Sequence, residues 1–198
     1  MPYICYDNSM KKTEPLKPPQ YDISLLRSSG EDIFISANAE IRRPHLMSVG
    51  SHVAIDTGYY TTEADIGDYV HLGPYISCIG GEKSKLVVGH FVAIGAGSRI
   101  ICGSDAQMGD GFTSVTVPEK YRDTVKYTTV KIGDFAGIGT NVIIMPGVTI
   151  GEGSVIGACS LVTADTEPWT VYCGTPARPI KIRPKEKILQ FAEELGYR

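Results

Sequence analysis

Long apolar runs are missing from this 198-residue sequence. No stretch approaches the ~20 apolar residues that span a bilayer, so no membrane insertion is expected. An excess of positive charge is missing too. Nineteen Lys and Arg stand against 22 Asp and Glu, a formal net charge of −3. A nucleic-acid or anionic-membrane surface needs a basic footprint, so no nucleic-acid partner is expected, although a local Lys/Arg cluster still suffices for a phosphate. Cysteine is sparse and shows no C-x-x-C spacing. The five residues Cys5, Cys78, Cys102, Cys159 and Cys173 are odd in number, which argues against a disulfide framework and for a reducing cytoplasm. The opening MPYICYDNSMKK has no apolar run after a basic start, so no secretory leader is expected. What the chain has instead is glycine, 22 residues, and proline, 12 residues, a balance that fits a fold made largely of turns.

The pattern is clearest from Ile132 to Val162, IGDFAGIGTNVIIMPGVTIGEGSVIGACSLV. An aliphatic residue falls on every sixth position: Ile132, Ile138, Ile144, Ile150, Ile156, Val162. Glycine follows at Gly133, Gly139, Gly151 and Gly157, and the residue four on is small or β-branched (Ala136, Val142, Val148, Ser154, Ser160). Period six is neither helical nor a simple alternating strand; it is the hexapeptide signature of a parallel β-helix. Fainter repeats precede it at Val49, Ile55, Ile66, Leu72, Cys78, Val88, Ile94 and Ile100. Cys78 occupies an aliphatic slot and reads as a small core hydrophobe. Three faces of six residues make eighteen per coil, so Ile132 should stack on Ile150, Ile138 on Ile156, and Ile144 on Val162. Handedness is not encoded in the spacing.

The interruptions are as informative as the repeats. Extra residues are expected between Ile55 and Ile66, between Cys78 and Val88 around GGEKSK, and above all between Ile100 and Ile132. That last excursion, about 103–130, is polar and punctuated by Gly and Pro, and loops of such length are usually functional or disordered. Ahead of the repeats, DISLLRSSG predicts one or two helical turns with Asp22 as N-cap and Gly30 as terminator. At the far end, Ile188, Phe191, Ala192 and Leu195 share one face of a short amphipathic helix. The expected organisation is an N-terminal extension over 1–32, a β-helix domain over 33–181, and a C-terminal helix over 182–198.

With its repeats, its long excursion and the ending IGACSLVTADTEPWTVYCGTPARPIK, the chain resembles the hexapeptide-repeat acyltransferases, and more narrowly the sugar O- and N-acetyltransferases related to galactoside, maltose, capsule and lipopolysaccharide acetylating enzymes. The resemblance covers about Val49 to Lys181. It implies a left-handed parallel β-helix, a homotrimer, acetyl-CoA as co-substrate, and a sugar or nucleotide-sugar acceptor beneath the long loop. Coenzyme contacts fall by resemblance on Gly139, Thr140, Ala158, Thr163, Arg178 and Lys181. Small residues there would let the pantetheine lie close to the coil, and the basic pair would meet the nucleotide's phosphates.

The catalytic base of the family is a loop histidine, and its position here is Asp105. An unperturbed carboxylate, pKa ~3.9, is a weak base for a sugar hydroxyl. Three readings follow: Asp105 is a base strengthened by its pocket, His71 of a neighbouring subunit has taken the role, or the acceptor is an amine that Asp105 orients. His71 is at a turn-proximal repeat position and should point outward; His45, His52 and His90 read as surface residues. The family's acceptor-binding Asn falls on Gly73, and the Lys after its Val-Thr pair on Ala164. Both departures argue against galactosides. Tyr75, Asp110, Tyr121 and Arg122 are further candidates for sugar contact. A three-histidine zinc hydratase on the same fold is disfavoured because His71 and His90 occupy different repeat positions, so no metal is expected. A non-catalytic scaffold is disfavoured by the long excursion and the G-T-P-A-R ending.

Overall fold

In the computed structural model, residues 18–197 are described; the expectations for residues 1–17, Cys5 among them, lie outside that range. Short strands recur at every sixth residue or so because one inward aliphatic and one tight corner are all that each face of a coil requires. Three parallel sheets result. The first runs from Ser28–Ser29 through Ser48–Val49, Ala64–Ile66, Lys85–Val88 and Thr129–Ile132 to Thr149–Ile150. The second contains Ile33–Ile35, Val53–Ile55, His71–Leu72, Ala93–Ile94, Gly137–Ile138, Val155–Ile156 and Thr170–Gly174, then turns back antiparallel as Ala177–Ile182. The third runs from Glu40–Ile41 through Tyr60–Thr61, Ser77–Ile79, Arg99–Ile101 and Ile143–Ile144 to Leu161–Val162. Together they form a left-handed parallel β-helix of about seven turns, the opposite hand to ordinary parallel crossovers.

The register follows the period-six reading. Ile132 pairs with Ile150, Ile138 with Ile156, and Ile144 with Val162. The same columns continue back through Val88, Ile94 and Ile100. Nearly all of these side chains are fully buried, each contributing ~1.5–3 kcal/mol. Cys78 joins the core beside Cys102, sulfur to sulfur 3.5 Å, and both thiols are free.

Two local readings are corrected. No insertion separates Ile55 from Ile66: Tyr60–Thr61 is a full strand of the third sheet, with Thr61 paired to Ile41 and 0% exposed in the aliphatic slot. Gly30 does not end a helix. One 3-10 turn, Ile23–Leu25, is capped by the Asp22 carboxylate on the Ser24 N–H, and the chain then enters the solenoid at Ser28, ahead of Ile33. The other two interruptions are real and emerge at the same edge, the corner joining the third sheet to the first. The longer one folds back as an antiparallel pair, Gly103–Asp105 against Val125–Tyr127.

The corner between the first and second sheets carries an aromatic ring in five of the coils. His52, Tyr69, Phe91, Phe135 and Trp169 stack with centroid separations of 4.6, 4.7, 5.3 and 6.0 Å. All five have positive φ. In the coil between Phe135 and Trp169 the corresponding place belongs to Gly153, where a Cβ would come within 2.4 Å of the Trp169 ring. The C-terminal helix, Glu186–Glu194, lays Ile188, Phe191, Ala192 and Leu195 toward Phe91 and Phe135.

Candidate active site

His71 stands on the outer face of the second sheet, exposed, between Ala54 and Ala93 of the adjoining coils. Small neighbours leave room around the imidazole, and an open groove of about 480 Å³ runs past it along the aromatic corner. Its Nε2 lies 3.1 Å from Asp56 Oδ2. Asp56 directly follows the strand Val53–Ile55, so the repeat itself sets this pair. Sequence reasoning did not find Asp56; the signal available was an acidic residue in the slot where glycine follows most repeat aliphatics.

Asp105 is the last residue of the first excursion strand, opposite Val125, half-buried and with no side-chain partner among the described residues. It projects from the edge where the third sheet meets the first. In a three-sided prism that edge lies opposite the second sheet. His71 and Asp105 of one chain therefore face away from each other.

The coenzyme candidates form two groups. Gly139, Thr140 and Ala158 line the corner between the second and third sheets, one coil above the next. A Cβ on Gly139 would meet the Ala158 backbone nitrogen at 2.5 Å, and one on Gly95 the Thr140 nitrogen at 2.5 Å. Glycine here permits close coil stacking and leaves a strip of small exposed side chains along the axis. Thr163 and Arg178 line one cavity of about 120 Å³ at the end of the solenoid, with Tyr172 and Ala177. Lys181 lies on the returning strand opposite Val171, exposed.

No group of three or more His, Cys, Asp or Glu among the described residues is arranged to hold a metal ion. His45 and His52 are exposed and His90 half-buried; His90 Nδ1 accepts the Asp68 N–H at 3.0 Å. No described helix is long and apolar enough to cross a membrane.

Coil register, excursion and corner strip define a hexapeptide-repeat β-helix. Residues 129–164 match the family described as bacterial transferase hexapeptide (six repeats). The dTDP-4-amino-4,6-dideoxy-D-glucose acyltransferase of Escherichia coli is 34% identical over 169 residues, 83% of this chain and 86% of that protein. AntD, an N-acyltransferase from Bacillus cereus solved with dTDP and 3-hydroxybutyryl-CoA, superposes with a TM-score of 0.83 at 30% identity, covering 91% of this chain and 98% of that one. The galactoside O-acetyltransferase of E. coli K12 is 46% identical, but over 65 residues only, 32% of each chain. The chain belongs to the hexapeptide-repeat acyltransferase family.

Proposed function

We propose that this protein transfers an acyl group from an acyl-coenzyme A to the amine of a nucleotide-linked amino sugar, as a homotrimer in the cytoplasm, for lipopolysaccharide or capsule precursor synthesis. The observation that carries the reading is the end-to-end likeness to amino-sugar N-acyltransferases, against a merely local likeness to an O-acetyltransferase. The chemistry agrees. An amine is nucleophilic once neutral, so a loop carboxylate at Asp105 serves to hold it, whereas a hydroxyl needs a stronger base.

In this reading the coenzyme lies along Gly139, Thr140 and Ala158, with its phosphates toward Thr163, Arg178 and Lys181. Asp105 accepts a hydrogen bond from the sugar amine and fixes its lone pair on the thioester carbonyl. The C–N bond forms, the C–S bond breaks, and the nitrogen's proton leaves through His71 of an adjacent subunit to the departing thiolate. The opposed placement of His71 and Asp105 within one chain favours a site shared between copies. The exposed Met108, Phe112, Val115 and Tyr121 of the excursion, and Ile143 on the third sheet, supply apolar surface for such contacts.

The test is release of free coenzyme A thiol from acetyl-CoA and from longer acyl-CoAs. Acceptors are dTDP-amino sugars, free amino sugars and galactosides. Turnover is expected with nucleotide-linked amino sugars. Turnover with galactosides alone, or no coenzyme binding, overturns the proposal.

A further inference from the structure

A second feature gathers at the edge from which the excursion emerges. Arg42 and Arg43, in the first coil, overhang an open depression of about 340 Å³ walled by Tyr60 and Thr62 and floored by Gly80 and Gly81. The Arg42 guanidinium lies 5.6 Å from the Tyr60 ring centroid, within cation–π range. Two carboxylates attend the arginines: Glu40 Oε1 at 2.5 Å from Arg42 Nε, and Glu82 Oε2 at 3.8 Å from Arg43 Nη2. Glu82 is 80% exposed, so it is readily displaced by a better anion.

The floor of this depression is the base of the hairpin that carries Asp105. A Cβ on Gly103 would lie 3.4 Å from Gly80 Cα, and one on Gly81 would meet the Tyr127 ring at 2.4 Å. Gly103 and Tyr127 are paired across the hairpin. Asp105 lies two residues further along an extended strand, ~7 Å at the usual rise. The arginines and the carboxylate that holds the amine are thus on one edge of one chain, with Gly80 and Gly81 between them.

Resting on the acyl-transfer reading above, we infer that Arg42 and Arg43 bind the diphosphate of the nucleotide-linked acceptor. Guanidinium forks suit the paired oxygens of a diphosphate. The coenzyme's own diphosphate is a rival occupant, and its expected phosphate contacts, Thr163, Arg178 and Lys181, lie in the last coils instead.

The experiment is calorimetric titration of the intact protein with thymidine diphosphate, uridine diphosphate, inorganic pyrophosphate and, separately, coenzyme A. Arg42→Gln and Arg43→Gln should each weaken nucleoside diphosphate binding at least tenfold and leave coenzyme A affinity within twofold. Glu82→Gln, which removes a competing carboxylate, should tighten it two- to fivefold. Both arginines lie at the surface, and an unchanged thermal midpoint confirms folding. Wild-type protein that binds coenzyme A but no diphosphate, or arginine variants that bind diphosphate normally, overturns the inference and leaves the acyl-transfer reading standing. Loss of coenzyme A affinity in the arginine variants also overturns it, by assigning the depression to the co-substrate. Pyrophosphate binding as tightly as the nucleoside diphosphates shows that the phosphates alone are recognised there, which supports the assignment.

Discussion

Bulky side chains at positive φ cost ~1–3 kcal/mol each, and His52, Tyr69, Phe91, Phe135 and Trp169 all adopt it. Their stacking returns ~0.5–1.5 kcal/mol per aromatic pair, so the ladder offsets part of the strain that the corner imposes. Gly153 cannot readily take a side chain, since its φ is +66° and its missing Cβ points into the Trp169 ring. Gly153→Ala should destabilise the protein by roughly 1–3 kcal/mol, read from urea denaturation. Gly109→Ala, also at positive φ but with nothing within 4 Å, should lose only the backbone part. A Gly153→Ala effect no larger than that of Gly109→Ala would refute the packing argument. For chemistry, Asp105→Asn and His71→Ala should each slow turnover by at least tenfold, within the range of a lost acid–base or orienting group. Coenzyme A affinity should be preserved. Normal rates in both variants would remove these two residues from the mechanism.

Among the elements, the C-terminal helix has a role beyond covering apolar surface. Arg183, just ahead of it, donates from Nη1 to the carbonyls of Phe135 and Gly153 at 2.7 and 2.8 Å, joining two coils. Just past it, Tyr197 packs edge-on against Tyr69 and Phe91 and donates its hydroxyl to Asp68. Burial alone would raise the Asp68 carboxyl, but the bonds from Tyr197 and from the Ser51 N–H hold it below the ordinary value of 3.8. A depressed folded-state pKa stabilises the protein above the unfolded value and ceases to do so as pH falls through the folded one. Asp68→Asn should therefore lower the thermal midpoint at pH 7, and the gap from wild type should close below about pH 4. A gap that persists unchanged at lower pH would show that shape, not charge, is responsible. The helix was legible from its apolar spacing. The tether was not, because nothing in the pattern relates Tyr197 to an aspartate so many coils away. Thr61 was misread for a related reason: a polar residue filled an aliphatic slot, and only its β-branched shape and its position six after Ile55 hinted that the repeat was unbroken.

At the scale of the whole molecule, period six dictated the coils, their stacking partners and the place of the excursion, since one buried residue per face suffices to specify a β-helix. The proposed site was less legible because its two candidate residues lie on different sides of the prism. Asp105 rises from one edge, while His71 stands on the sheet opposite that edge, and no spacing along one chain reveals that they face apart. In a cyclic trimer each active site would take one of them from each of two neighbours across a heterologous interface. That arrangement makes a prediction no single-chain site shares. Asp105→Asn and His71→Ala proteins, each impaired alone, should complement when coexpressed at equal levels. A mixed trimer contains interfaces at which the intact His71 of one chain meets the intact Asp105 of the next. Random assembly makes roughly a quarter of all sites whole, so activity should recover toward about that fraction of wild type. Sedimentation analysis should show a trimer throughout. If both residues served a site within one chain, no subunit in the mixture would carry the complete pair, and activity would stay at the level of the single variants whatever the mixing ratio.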